Sequence, residues 1–157
     1  MSNDLKFKIS HKITEDNSSN FTIKPLDRGY GITVGNSLRR ALLTAVPGAA
    51  ITNVKIEGAH HEFSTIDGVT EDVADVIMNL KGVRFHLFES SVEPIFLKVK
   101  GPKAFTAADI QAASNDFTIL NPDHYITDIA KGTTLEVELR LGIGKGYKSS
   151  EENKLNN

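Results

Sequence analysis

The sequence predicts an α+β fold of antiparallel sheets with two main helices, and three observations carry that prediction. Period-two alternation of apolar and polar residues recurs in several separate runs, two segments carry apolar stripes at helical spacing, and proline or glycine punctuation divides them. With 157 residues, 39% of them hydrophobic, the chain can form one ordinary domain or two small lobes of a globular protein.

Taken in order, Leu5, Phe7 and Ile9 alternate with Lys6 and Lys8, and Phe21 and Ile23 alternate with Thr22 and Lys24. The polar run Asp16-Asn17-Ser18-Ser19-Asn20 between them reads as the turn of a hairpin. A first helix is expected from near Thr33 to just before Pro47-Gly48, a pair that stops helix propagation. Ile51, Val54 and Ile56 then open a further series of strands. A second helix follows from the spacing of Val69, Val73, Val76, Ile77 and Leu80. Glu71 and Asp72 are placed in its first turn and Lys81-Gly82 at its end, an arrangement that suits the helix dipole. Strands are expected at Val83 to Phe88, Ile95 to Lys100, Phe117 to Leu120 and Leu135 to Leu141. Thr106-Ala107-Ala108-Asp109 reads as a capping-box variant that opens a short helix. The polar end, Lys148 to Asn157, is expected to be mobile.

The run from Pro25 to Leu43 passes through a glycine-rich turn into the first helix and points to protein binding. On a helical wheel Val34, Leu38, Ala41, Leu42, Leu43, Ala45 and Val46 share one broad apolar arc, and Arg39 falls inside it between Val46 and Leu43. Arg40, Asn36 and Thr44 take the other face. An arginine within an apolar stripe fits a surface that a partner covers, with the guanidinium as anchor. It fits equally a side chain that lays its aliphatic stem over the core edge and keeps its head in water.

Net charge is −2, which gives no electrostatic footprint for direct nucleic-acid binding. The chain contains no cysteine, so disulfides and thiolate metal sites are excluded. No apolar run reaches the length of a membrane helix, and the amino terminus lacks a signal-peptide core. His60, His61, Glu62 and Asp67 are the residue types that ligate zinc. On a strand, however, His60 and His61 would point to opposite faces. The glycines at 29, 31 and 35, and those at 142, 144 and 146 with Lys145, match neither a Walker A nor a dinucleotide fingerprint. They read instead as turn positions or points of close chain approach. No nucleophilic triad, acid and base pair or magnesium-binding aspartate cluster is apparent, so no catalytic residue is assigned.

Several motifs nevertheless occur together in order. Leu26-Asp27-Arg28-Gly29-Tyr30-Gly31, Gly35-Asn36-Ser37-Leu38-Arg39-Arg40, Pro47-Gly48, His61-Glu62-Phe63-Ser64-Thr65, Gly68-Val69-Thr70-Glu71-Asp72, Asn79-Leu80-Lys81-Gly82, Thr106 to Ile110 and Gly144-Lys145-Gly146-Tyr147 resemble the bacterial-type DNA-directed RNA polymerase alpha subunit. The resemblance covers nearly everything up to Tyr147. It implies an incomplete dimerisation lobe with a mostly-β lobe inserted in it: residues 1–48 as the first part of the dimerisation subdomain, 49–147 as the inserted subdomain, and 148–157 as a polar tail. The chain would stop before the segment that returns to complete the dimerisation lobe.

The resemblance further implies a non-catalytic subunit that dimerises and scaffolds assembly of the beta and beta prime subunits. Leu38, Leu42, Leu43 and Val46 would form the dimer interface. Asn36, Arg39, Arg40, His61, Glu62, Ser64, Thr65 and Lys81 would dock the large subunits. No cofactor is expected on this chain, the complex's magnesium lying in another subunit. Neither sequence-specific DNA binding nor membrane association is expected, and the location implied is the bacterial cytoplasm, with a plastid as the alternative. Two other function classes remain for test: a small metal-dependent hydrolase using His60 or His61 with Glu62 and Asp67, and an α+β interaction module unrelated to transcription.

Overall fold

The computed structural model describes residues 7–15, 18–88 and 93–154. The Leu5 and Lys6 end of the first expected strand, the Asp16-Asn17 part of the turn and the final Leu155-Asn156-Asn157 lie outside the described residues. The fold is α+β with antiparallel sheets, as the alternation predicts, and it divides into two compact units, Met1–Ala45 and Val46–Asn157.

In the first unit β1 (Lys8–Glu15) and β2 (Ser18–Lys24) pair antiparallel, with Ile9 opposite Ile23, His11 opposite Phe21 and Lys8 opposite Lys24. Directly opposed residues share a face of the ribbon. One face therefore gathers Ile9, Ile13, Phe21 and Ile23 around His11, whose ring stacks on Phe21 at 4.7 Å. The other carries Lys8, Lys12 and Lys24. Helix α1 (Tyr30–Ala45) starts three residues earlier than Thr33. Gly29 supplies a φ of +92°, and the turn closes with the Tyr30 N–H donating to the Asp27 carbonyl at 3.1 Å. Gly31 and Gly35 lie inside α1 with open space around them, so neither a turn nor a close approach explains them.

In the second unit a five-stranded sheet has the order β5-β9-β3-β4-β7, formed by β3 (Pro47–Ile56), β4 (Phe85–Leu87), β5 (Ile95–Lys100), β7 (Phe117–Ile119) and β9 (Thr134–Lys145). A second pair joins β6 (Lys103–Thr106) to β8 (Tyr125–Ile129). Alternation places Ile95, Leu97 and Val99 of β5 and Leu135, Val137 and Leu139 of β9 in the core, with Phe96, Lys98, Lys100, Glu136 and Glu138 outward. Helix α2 (Val73–Lys81) lays Val73, Val76 and Leu80 into the same core, and α3 (Ala107–Gln111) adds Ala107 and Ile110. Phe85 and Phe117 meet edge to face at 5.4 Å between centroids.

The element boundaries differ from expectation where local caps decide them. Helix α2 begins at Val73, because Asp72 is its N-cap and accepts from the Asp75 N–H at 2.8 Å. Val69 and Glu71 therefore precede the helix, and Val69 instead bridges to Ile129. At α3 the Asp109 carboxylate accepts from the Thr106 N–H at 3.1 Å, the back-bond the capping motif predicts. The polar end contains a further short helix, α4 (Ser150–Lys154), opened by hydrogen bonds between Ser149 and Glu152. Strands β6 and β8 have no counterpart among the expected elements. Among the described residues, no helix is long and apolar enough to cross a membrane.

Candidate functional site

Two separate surfaces hold the residues singled out from the sequence. The first is α1, which has no buried residue. Leu38 is 46% exposed, Leu42 65%, Leu43 67% and Val46 57%. Val46 lies just past the helix, so its position on the wheel does not apply; Leu38, Leu42 and Leu43 form the apolar arc. Asn36, Arg39 and Arg40 are all exposed, and neither arginine has an ion pair among the described residues. The hydroxyls of Ser37 and Thr44 donate back to the carbonyls of Thr33 and Arg40 at 2.9 and 2.7 Å, so these residues satisfy themselves within the helix.

The second surface is the stretch between β3 and α2. His61 and Ser64 close a tight turn: the Ser64 hydroxyl donates to the His61 carbonyl at 2.7 Å and accepts from the His61 N–H at 3.0 Å. The Ser64 carbonyl accepts from the Val73 N–H at 3.0 Å, which pins the turn to the start of α2. Glu62 and Thr65 are exposed at this turn, and Phe63 between them is 77% exposed. Lys81 stands at the opposite end of α2, about 12 Å along the axis at 1.5 Å per residue. The structure thus brings His61, Glu62, Ser64 and Thr65 together and leaves Lys81 apart.

His60 and His61 fall in bends and turns, not on a strand, so strand alternation does not govern where they point. Among the described residues, no group of three or more histidine and carboxylate side chains is arranged to hold a metal ion. The grouping of His60, His61, Glu62 and Asp67 therefore has no geometric support.

What holds the second surface in place was not among the candidate docking residues. Glu71, assigned to the helix dipole by sequence, points instead to β8. Its carboxylate accepts from the Tyr125 hydroxyl at 2.8 Å, the fully buried Thr127 hydroxyl at 2.5 Å and the Asp128 N–H at 3.3 Å. Burial works to raise the carboxyl's pKa, but the hydrogen bonds from Thr127, Tyr125 and Asp128 outweigh it and hold it below the ordinary carboxylate value. Burial, and then the Glu71 bond, push the Tyr125 phenol well above its usual range. Gly68, at φ +77°, completes the seam: a Cβ there would lie 2.0 Å from the Thr133 hydroxyl oxygen, and its carbonyl accepts from the Ala130 N–H at 2.7 Å. At the far end of α2, the Asn79 side chain donates to the Ile126 carbonyl at 2.8 Å and Asn121 donates to the Gly82 carbonyl at 3.0 Å.

Residues 54–157, which contain this second surface, match a family model described as the RNA polymerase Rpb3/RpoA insert domain. The chain belongs to that family. Relatives agree along most of its length: the DNA-directed RNA polymerase subunit alpha of Salinibacter ruber is 52% identical over 139 residues, covering 88% of this chain and 42% of that protein. The subunit alpha of Limosilactobacillus reuteri is 50% identical over 145 residues, 92% of this chain and 46% of its own length. That of Chloroherpeton thalassium is 48% identical over 134 residues, 85% and 41%. The chain thus spans somewhat under half the length of these alpha subunits. It corresponds to the amino-terminal region of an RNA polymerase alpha subunit, together with the insert domain.

Proposed function

We propose that this chain is a non-catalytic assembly scaffold of DNA-directed RNA polymerase, dimerising through α1 and docking the beta and beta prime subunits. The observation that carries the proposal is the exposed α1 face in a chain about half identical to RNA polymerase alpha subunits. Full burial of a wholly exposed leucine gains about 1.5–3 kcal/mol, and Leu38, Leu42 and Leu43 still have roughly half to two thirds of that to gain, before ordering costs are subtracted. Val46 joins them at the start of the second unit. Residues 1–48 form the first part of the dimerisation subdomain, 49–147 the inserted subdomain and 148–157 its polar tail.

Docking of the large subunits falls to Asn36, Arg39 and Arg40 on α1 and to His61, Glu62, Ser64 and Thr65 on the turn before α2, with Lys81 as a separate contact. Charged groups without an intramolecular ion pair suit such a role, since a partner carboxylate meets a guanidinium with no internal bond to break. Catalytic magnesium belongs to another subunit, promoter reading to other parts of the polymerase, and the location is the bacterial cytoplasm. The direct test is to co-express the chain with beta and beta prime and resolve the product by gel filtration. Co-elution of two copies with the large subunits supports the scaffold reading, and recovery of the chain alone refutes it.

A further inference from the structure

We propose that the outer edge of β5 is a peptide-binding slot that takes an extended acidic segment by strand addition. β5 ends the five-stranded sheet: its inner edge pairs with β9 from Ile95 to Lys100, and its outer edge pairs with no strand among the described residues. An open edge presents a row of backbone donors and acceptors, a ready template for another extended chain. Beside that edge runs a groove of about 340 Å³, walled on the far side by the turn that closes α3. The wall there is Ala112 and Ala113, both exposed and both small.

The exposed residues of β5 set the chemistry of the occupant. Phe96, Lys98 and Lys100 share the solvent face of the strand, opposite Glu138, Glu136 and Thr134 on β9. An added strand would set its own alternate side chains beside these three, the same relation as any cross-strand pair. Lys98 is bonded to Glu136 at 2.8 Å and Lys103, also lining the groove, to Asp109, whereas Lys100 has no ion pair among the described residues. Glu138, across from Phe96, is paired with Arg140 at 3.4 Å, so Lys98, Lys100 and Lys103 stand against Glu136 and Asp109 with one lysine in surplus, which favours acidic side chains next to Lys98 and Lys100 and the aliphatic stem of a third over the ring of Phe96, 71% exposed. The intervening side chains of the peptide turn to the Ala112 and Ala113 wall and must be small or slender. Lysine on an edge strand also serves simply to discourage aggregation. A guard of that kind has no affinity for a peptide, so the two roles separate by experiment.

The probe is a fluorescein-labelled peptide of alternating valine and glutamate, six residues long, titrated against the 157-residue chain by anisotropy. Binding is expected, with slowed amide exchange confined to residues 95–100. Lys100→Glu, a fully surface change, should weaken it about tenfold or more at an unchanged melting temperature, and Ala113→Trp should block it by filling the groove. A peptide methylated at every backbone nitrogen should not bind, because strand addition needs the N–H groups of whichever edge meets β5. The proposal is overturned by absence of binding, by equal binding of the methylated peptide, or by undiminished binding to either folded variant. It is overturned as well if an oligothymidylate protects the same amides as strongly, since the surface would then read phosphate and not peptide backbone.

Discussion

At the scale of single residues, Glu71 shows how far chemistry can depart from sequence position. A glutamate beside an aspartate at the start of a helix reads as a dipole pair, yet Asp72 alone caps α2 and Glu71 turns away to gather three donors from β8. Hydrogen bonds to a charged acceptor are worth about 1.5–3 kcal/mol, so Glu71→Gln is expected to cost about 1–3 kcal/mol of stability near neutral pH, measured by urea denaturation. The pH dependence has a definite sign. Because the folded-state pKa of Glu71 is lowered, its contribution is present above the ordinary carboxylate value and is lost as pH falls through the lowered one. The gap between wild type and Glu71→Gln should therefore close on acidification. Tyr125, with its pKa raised, contributes fully below the ordinary phenol value and loses that contribution as pH climbs beyond it, so Tyr125→Phe should flatten the alkaline decline. Arg40 is the opposite kind of residue, exposed and without an ion pair among the described residues. Arg40→Ala should leave the melting temperature unchanged and weaken capture of the beta subunit by roughly 2–4 kcal/mol, the range of a central interface arginine. Gel filtration of reconstituted mixtures reads the loss, and undiminished capture would remove Arg40 from the interface.

At the scale of elements, helix caps and turns are the most legible features and the short second sheet the least. The Thr106 to Asp109 box is visible as a spacing, and so is Ser149-Ser150-Glu151-Glu152, a serine with a glutamate three residues on. Judged only as polar composition, that second spacing is passed over, although it opens α4. β8 hides for a physical reason: Ile126 and Thr127 are both buried, so period-two alternation fails, and the burial of Thr127 makes sense only with Glu71 as its partner 56 residues away. α1 is legible as an amphipathic helix, but what covers its apolar arc is not written in the helix itself. Leu42 stands near the middle of that arc, with open surroundings in the first unit. Leu42→Lys is accordingly expected to shift the isolated chain from self-associated species towards monomer in sedimentation velocity, with helix content unchanged. Monomeric wild type with strong hydrogen-exchange protection over Tyr30 to Ala45 would withdraw the dimerisation assignment.

At the scale of the whole molecule, charge and pattern make different kinds of statement. The net charge of −2 and a modest basic face on the hairpin, Lys8, Lys12 and Lys24, give promoter DNA little to bind. A mobility-shift titration should show only weak, sequence-independent binding that falls with salt at a log–log slope of no more than about 3, the number of lysines on that face. Tight sequence-specific binding would contradict the scaffold reading. Features that depend on near neighbours along the chain are legible in its residues alone: the α+β class, the alternating strands β5 and β9, the stripe of α2, the stops at Pro47 and Gly82, and the ordered motifs that mark the polymerase family. Tertiary structure decided the rest. It decided that Glu71 serves β8 and not α2, that Lys81 stands at the end of α2 remote from the His61 turn, that His60, His61, Glu62 and Asp67 do not gather, and that β5 is an edge. Each of these depends on which distant segments are brought side by side. Hydrophobic periodicity says that a face must be buried, while the identity of what buries it follows only from how the whole chain closes its core.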